Sequence, residues 1–329
     1  MEMMIFLRLF VFCGILMLSS ISAEAWSPPG HTQIQIWPAG KMPDALQISL
    51  KNTKPESTKI IKDPLIAGKP WTEVFNVSEP TMTIYSPKTN NTGVAIVVFP
   101  GGGFNGLAID LEGTEVCDWL TTRGISCVLL KYRVPDSGPA WHEDCHCNIH
   151  PKATTAIEDA QRAVGLVRYN AEKWRIDPNK IGVLGFSAGG YMVADLSTHF
   201  KKRAYLPIDM ADQESCRPDF AVALYPGHLW IDENKFELSP MISVTAKTPP
   251  TFLLQAEDDP EDNVNNSLVY YIALKKAGVP VEMHLYAEGG HGFGLRRTKS
   301  PITEWPKLVE TWLGSIGMVQ SLRAGNNSG

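Results

Sequence analysis

Apolar residues from Val94 onward come in short continuous runs separated by stretches with helical spacing. The runs cover residues 94–99, 126–132, 181–184, 220–225, 251–255 and 281–286. Runs of this length, unbroken by polar alternation and bounded by turn residues, fit strands buried on both faces. Between them, residues 111–123, 156–174, 188–198, 264–277 and 305–316 repeat apolar side chains at the period of an amphipathic helix. Strands alternating with helices predict right-handed crossovers and an α/β fold: a mostly parallel central sheet with helices on both faces. Ligands of such sheets bind beyond the carboxyl ends of the strands, so the loops there are where chemistry is sought.

The flanks read differently. Residues 26–75 are rich in Pro, Lys, Thr and Asn and are expected to wrap the domain edge, with residues 32–37 alternating as a short strand; residues 81–85 alternate likewise. Arg8, an apolar run over 9–18 and the sequence Ala23-Glu24-Ala25 have the three parts of a signal peptide, residues 1–25. The run is too short to span a bilayer comfortably. The expected organisation is therefore an N-terminal wrap (26–75), a catalytic domain (76–317) carrying a cap segment (133–153), and a flexible tail (318–329).

Three glycine-rich turns fall at predicted strand ends. Gly185-Phe186-Ser187-Ala188-Gly189 follows the strand 181–184 and opens the helix 188–198, the context a G-x-S-x-G nucleophile turn requires. The glycines relieve the crowding of a tight strand-to-helix turn and lift Ser187 above the sheet. Pro100-Gly101-Gly102-Gly103-Phe104 follows the strand 94–99. It lacks a phosphate-loop pattern and suits instead a loop whose amides receive an oxyanion, with Gly102, Gly103 and Ala188 as the donors. Gly289-Gly290-His291-Gly292-Phe293-Gly294 follows the last strand, and His291 is the expected general base. The acid should lie between serine and histidine in the order Ser, Asp, His. The loop 256–262 holds five carboxylates. Asp259 fits best by distance past the strand end, and Asp258 is second.

These segments, together with residues 277–282, resemble bacterial acetyl-xylan and feruloyl esterases of the α/β-hydrolase superfamily, chains often labelled xylanase-like. The resemblance covers roughly residues 75–315. It implies an α/β-hydrolase fold with a small cap over the site, and a serine carboxylic ester hydrolase that works through an acyl-enzyme without cofactor or metal. Ser187, Asp259 and His291 would form its triad, and an acetyl or feruloyl ester of plant polysaccharide, or a related small ester, would be its substrate. One departure stands out: Pro100 occupies the place of the histidine that often begins this loop, so a bracing hydrogen bond is missing and proline stiffness is expected to replace it. A serine peptidase on the same fold and a non-catalytic carbohydrate-binding protein are the alternatives.

Composition narrows the partners. A formal net charge of −5 without long blocks of one sign offers no nucleic-acid groove and no basic membrane surface. The expected location is secreted or periplasmic, with no membrane attachment after cleavage; the oligomeric state is left open. Export permits disulfides. Cys13 lies in the signal run. Cys117 and Cys127 read as buried core thiols. Two cysteines and three histidines crowd residues 142–150, so Cys145 or Cys147 is expected either to pair with Cys216 and pin the cap, or to bind a metal, although the spacing matches no standard zinc module.

Overall fold

The computed structural model describes residues 25–43, 54–135, 141–142, 147–148, 153–232 and 235–320, with backbone alone at 141–142, 147–148 and 232. The signal segment up to residue 24, the far tail, Cys145 and most of the expected cap lie outside the described residues.

Eight strands form the central sheet: β1 (Gln33–Gln35), β2 (Thr81–Tyr85), β3 (Ala95–Phe99), β4 (Ser126–Lys131), β5 (Ile181–Phe186), β6 (Ala221–Leu224), β7 (Thr251–Ala256) and β8 (Val281–Tyr286). Their spatial order is β1-β2-β4-β3-β5-β6-β7-β8. β2 runs antiparallel to both β1 and β4, and all later pairings are parallel. Strands β3 to β7 are buried along their whole length, whereas β8, at the sheet edge, is half-exposed. That gradient is why the first five read as continuous apolar runs while β8 contains Glu282 and His284. Among the described residues five helices flank the sheet: α1 (Glu115–Thr122), α2 (Thr154–Tyr169), α3 (Ala188–Thr198), α4 (Asn265–Lys276) and α5 (Trp305–Ser315).

Helix α2 stops five residues short of the expected Trp174. The Asn170 side-chain amide donates to the Leu166 carbonyl, and the chain turns until the Ile176 N–H donates to the Ala171 carbonyl. Helix α1 is preceded by a π-helical turn, Asp110–Thr114, rather than continuing from residue 111. Cys117 and Cys127 are not free thiols: they form a disulfide tying α1 to β4, with Cα atoms 5.1 Å apart. Met318 and Val319 donate to the Leu313 carbonyl and pack on the core, so the start of the expected tail is fastened to α5.

The wrap is the largest departure from expectation. β1 does run along the sheet edge, but Ser57–Ile66 and Lys69–Phe75 form an antiparallel hairpin that pairs with Gly106–Ala108 in a separate three-stranded sheet. Ala67 and Gly68, both at positive φ, make its turn, the backbone that two-residue hairpins need. Arg296 ties this turn to the main domain. Its guanidinium pairs with Glu115 at 2.7 Å and donates to the carbonyls of Lys69 at 3.1 Å and Pro70 at 2.9 Å. Residues 141–142 and 147–148 pair as a short antiparallel ribbon within the expected cap.

Candidate active site

Register brings the three glycine-rich turns together. Gly185 of β5 lies beside Phe99 of β3, so the Pro100 loop and the Ser187 turn emerge side by side. Ala256 of β7 pairs with Tyr286 of β8, so the loops carrying Asp259 and His291 are also neighbours. All open at the carboxyl end of the sheet.

Ser187 sits at φ 52°, ψ −119°, a backbone conformation costly for a residue with a Cβ and retained where the surroundings enforce it. They do so here through closeness: a Cβ on Gly185 would strike the Gly189 carbonyl, and one on Gly189 would strike the Phe99 carbonyl. The Ser187 hydroxyl donates to Asp262 Oδ2 at 3.1 Å. Among the described residues, Asp262 rather than His291 is its acceptor.

His291 Nδ1 and Asp259 Oδ2 are 2.8 Å apart. An ionised carboxylate is acceptor-only, so Nδ1 carries the proton and Nε2 is left as the base. Asp259 Oδ1 accepts the N–H groups of Glu261 and Asp262, each at 2.9 Å. Asp258, the second candidate, instead accepts the N–H groups of Gly289 and Gly290, each at 2.8 Å. One carboxylate thus holds the imidazole and the next holds the loop that carries it. Burial favours a neutral imidazole, but the hydrogen bond and charge of Asp259, with Asp262 and Glu112 behind them, outweigh it and raise the pKa of His291. Asp262 Oδ2 lies 3.8 Å from His291 Nε2. Burial pushes the Asp262 carboxyl up to about 6, against the pull of His291.

The glycine loop is braced, contrary to the expectation drawn from Pro100. The Tyr132 hydroxyl donates to the Pro100 carbonyl at 2.6 Å, and Glu112 accepts the Gly101 N–H at 2.7 Å. Glu112 also accepts the Tyr225 hydroxyl at 2.7 Å, and that hydroxyl receives the Gly294 N–H at 3.1 Å. One buried network therefore links the glycine loop to the histidine loop. Burial raises the Glu112 pKa, opposed by Tyr225, Gly101 and His291. With the Gly101 amide consumed, the Gly102 and Gly103 amides have no acceptor among the described residues. Ala188 is the first residue of α3, where a backbone N–H has no intrahelical partner and the helix dipole is positive.

A cavity of about 560 Å³ opens on Ser187, His291, Asp262, Gly102 and Gly103. Sequence reasoning missed the rest of its wall. Pro64, Ile66 and Trp71 come from the hairpin, His228 from the loop after β6, and Glu112 from the π-helical turn. The Ala67-Gly68 turn between two β-prone segments was the available signal for the hairpin; nothing local marked Glu112 or Asp262.

Cys216 is a free, buried thiol whose Sγ donates to the Phe200 carbonyl at 3.5 Å, so the expected bridge to Cys145 or Cys147 is not made. A residue preceding β6 stands at the amino end of the sheet, away from the mouth where a cap would sit. Among the described residues no group of three His, Cys, Asp or Glu could hold a metal ion; the side chains of residues 142–150 lie outside them.

Comparison with known proteins agrees with this architecture. Residues 114–314 match the model of the prolyl oligopeptidase family. An acetylxylan esterase of Xylanibacter ruminicola is 31% identical over 257 residues, covering 71% of this chain and 48% of that protein. The endo-1,4-beta-xylanase B of Butyrivibrio fibrisolvens is 29% identical over 247 residues, covering 70% of this chain and 36% of its own length. The chain thus spans half or less of the curated relatives it matches. The crystal structure of an acetyl ester-xyloside bifunctional hydrolase from Caldicellulosiruptor lactoaceticus superposes with a TM-score of 0.64 at 32% identity, covering 92% of this chain and all of that one. By its sheet order, its matched residues and these relatives, the chain belongs to the prolyl oligopeptidase family of α/β-hydrolases.

Proposed function

We propose that this protein is a serine carboxylic ester hydrolase that removes acetyl or feruloyl groups from xylan-type plant polysaccharide or its fragments, working as a secreted or periplasmic enzyme. The observation that carries the reading is the convergence of Ser187, held at positive φ, with His291, which is hydrogen-bonded to Asp259, and with the Gly102-Gly103 loop at one cavity. The relatives described as acetylxylan esterase and acetyl ester-xyloside hydrolase support the substrate class.

In this mechanism the Ser187 hydroxyl turns from Asp262 to His291 Nε2, gives up its proton and attacks the ester carbonyl. The tetrahedral oxyanion rests on the Gly102, Gly103 and Ala188 amides, each such donor lowering the barrier by about 3 kcal/mol. Asp259 fixes the tautomer and stabilises the imidazolium. The imidazolium then protonates the leaving alcohol. Water attacks the acyl-enzyme with His291 as base, which releases the acid and restores Ser187.

Hydrolysis of p-nitrophenyl acetate, acetylated xylan and methyl ferulate tests the reading. Ser187→Ala should lower kcat on each productive ester by on the order of 10⁵–10⁶-fold. Activity that survives the substitution sinks the nucleophile assignment. The family match also favours a second reading, a serine peptidase on the same site. Ser187-dependent cleavage of aminoacyl p-nitroanilides, with none of the esters turned over, would establish it instead.

A further inference from the structure

The group that holds Ser187 at rest is itself built into place. The Asp262 N–H donates to Asp259 Oδ1 at 2.9 Å, and the Asp262 carbonyl accepts from the Gln255 side chain, which Ser267 fixes in turn at 2.5 Å. Gly227 leaves the room: a Cβ there would collide with the Asp262 carboxylate. The side chain is 14% exposed, at the wall of the cavity.

Its Oδ2 faces two reacting atoms at once, 3.1 Å from Ser187 Oγ and 3.8 Å from His291 Nε2. During acyl transfer the leaving oxygen is joined to the carbon that Oγ attacks, and takes its proton from Nε2. The alcohol half of the ester therefore passes beside Asp262. A carboxylate there accepts hydrogen bonds and donates none. In a sugar monoester, a hydroxyl on the neighbouring carbon lies within a hydrogen bond's length of the ester oxygen.

We propose that Asp262 is the specificity-determining residue for the alcohol: its carboxylate accepts a hydrogen bond from a free hydroxyl vicinal to the acylated one, selecting sugar monoesters that keep that neighbour unsubstituted. The inference rests on the ester-hydrolase reading above. It couples recognition to activation, because a substrate hydroxyl that occupies Oδ2 displaces the Ser187 hydroxyl from its resting acceptor and frees it for Nε2. An ester without a vicinal donor leaves Asp262 competing with His291 for the serine proton. With its carboxyl near 6, Asp262 is ionised at neutral pH.

The test compares kcat/KM for two substrates, a methyl xyloside monoacetate with a free vicinal hydroxyl and the same monoacetate with that hydroxyl replaced by hydrogen. The wild type should prefer the first by roughly ten- to hundred-fold, the worth of a hydrogen bond to a charged group. Asp262→Ala should bring the ratio close to one. Asp262→Asn, which keeps the size and loses the charge, should give an intermediate ratio and decides the matter if the alanine variant does not fold. A wild-type ratio near one, or a ratio kept in a folded variant, overturns the assignment. If p-nitrophenyl acetate is still turned over in a Ser187-dependent way, that result removes Asp262 alone. A wild type inactive on every ester removes the underlying reading as well.

Discussion

Two clusters of charge among the described residues invite comparison, one beside helix α2 and one over the tips of β5, β7 and β8. In the first, each carboxylate accepts a hydrogen bond from a guanidinium. Arg133 donates to both oxygens of Asp159 and to Glu158, while Arg162 reaches Asp209 and Asp212. Trp37, from the N-terminal segment, lies between the two guanidiniums, 5.7 Å from each, and donates its indole N–H to Asp159 at 2.7 Å. The second cluster holds Asp259, Asp262 and Glu112 with a single imidazole between them. Titration follows burial as well as pairing: burial raises the Asp159 carboxyl despite Arg133 and lifts Asp262 to about 6, while the Arg162 hydrogen bond holds the part-exposed Asp209 below its ordinary range. Where rigid forks satisfy every carboxylate, charge acts as architecture. Where the nearest cation is a lone imidazole, the carboxylates sit beside a group that can give up its proton.

The comparison can be broken most sharply at the imidazole. Asp259→Asn should cost about 10⁴-fold in kcat, the loss expected when the tautomer is reversed, with little change in melting temperature. Asp258→Asn should cost far less, because its ties are to the backbone of the histidine loop. Equal losses would mean the two carboxylates share one task. In the other cluster the same kind of change should reverse its readout. Asp159→Ala leaves Arg133 buried without its main partner and should destabilise the fold by about 3–5 kcal/mol, measured by urea unfolding, with catalysis by the remaining folded fraction intact.

The smallest effect concerns Asp262 and stability. Its folded-state pKa is raised to about 6, so between the ordinary aspartate range and about 6 the native state binds more protons than the unfolded chain. Native stability then falls as pH rises through that window and stays lower above it. Asp262→Asn removes this slope. Relative to wild type it should gain about 2 kcal/mol between pH 4 and pH 7. A difference in stability that is flat across that range would contradict the raised pKa.

The parts of the molecule legible in its sequence are those that obey local rules. Strand β2, helix α3 and strand β8 fall on the residues their patterns predicted. Ser187 and His291 were marked by glycines that tight turns demand, and Asp259 by its distance past β7. What escaped depends on neighbours far along the chain. The hairpin 57–75 interleaves polar and apolar residues and is largely exposed, so it lacks the continuous apolar signature of the central strands. Glu112 looks like one more acid on a helix until the π-helical turn aims it at Gly101 and Tyr225. Asp262 was one of five carboxylates within six residues, and only the hook of its backbone onto Asp259 singles it out. The Cys117–Cys127 pair was hidden because a helix and the strand after it gave no sequence sign of their approach.

Arg296 holds the hairpin through the peptide carbonyls of Lys69 and Pro70 and through Glu115 outside it. Such a fastening is indifferent to the side chains of the segment it secures. Pro64, Ile66 and Trp71 can therefore be exchanged while the wall of the cavity stays docked. The hairpin is a cassette, and a library confined to those three positions is the economical route to reshaping the cavity wall without touching Ser187, Asp259 or His291.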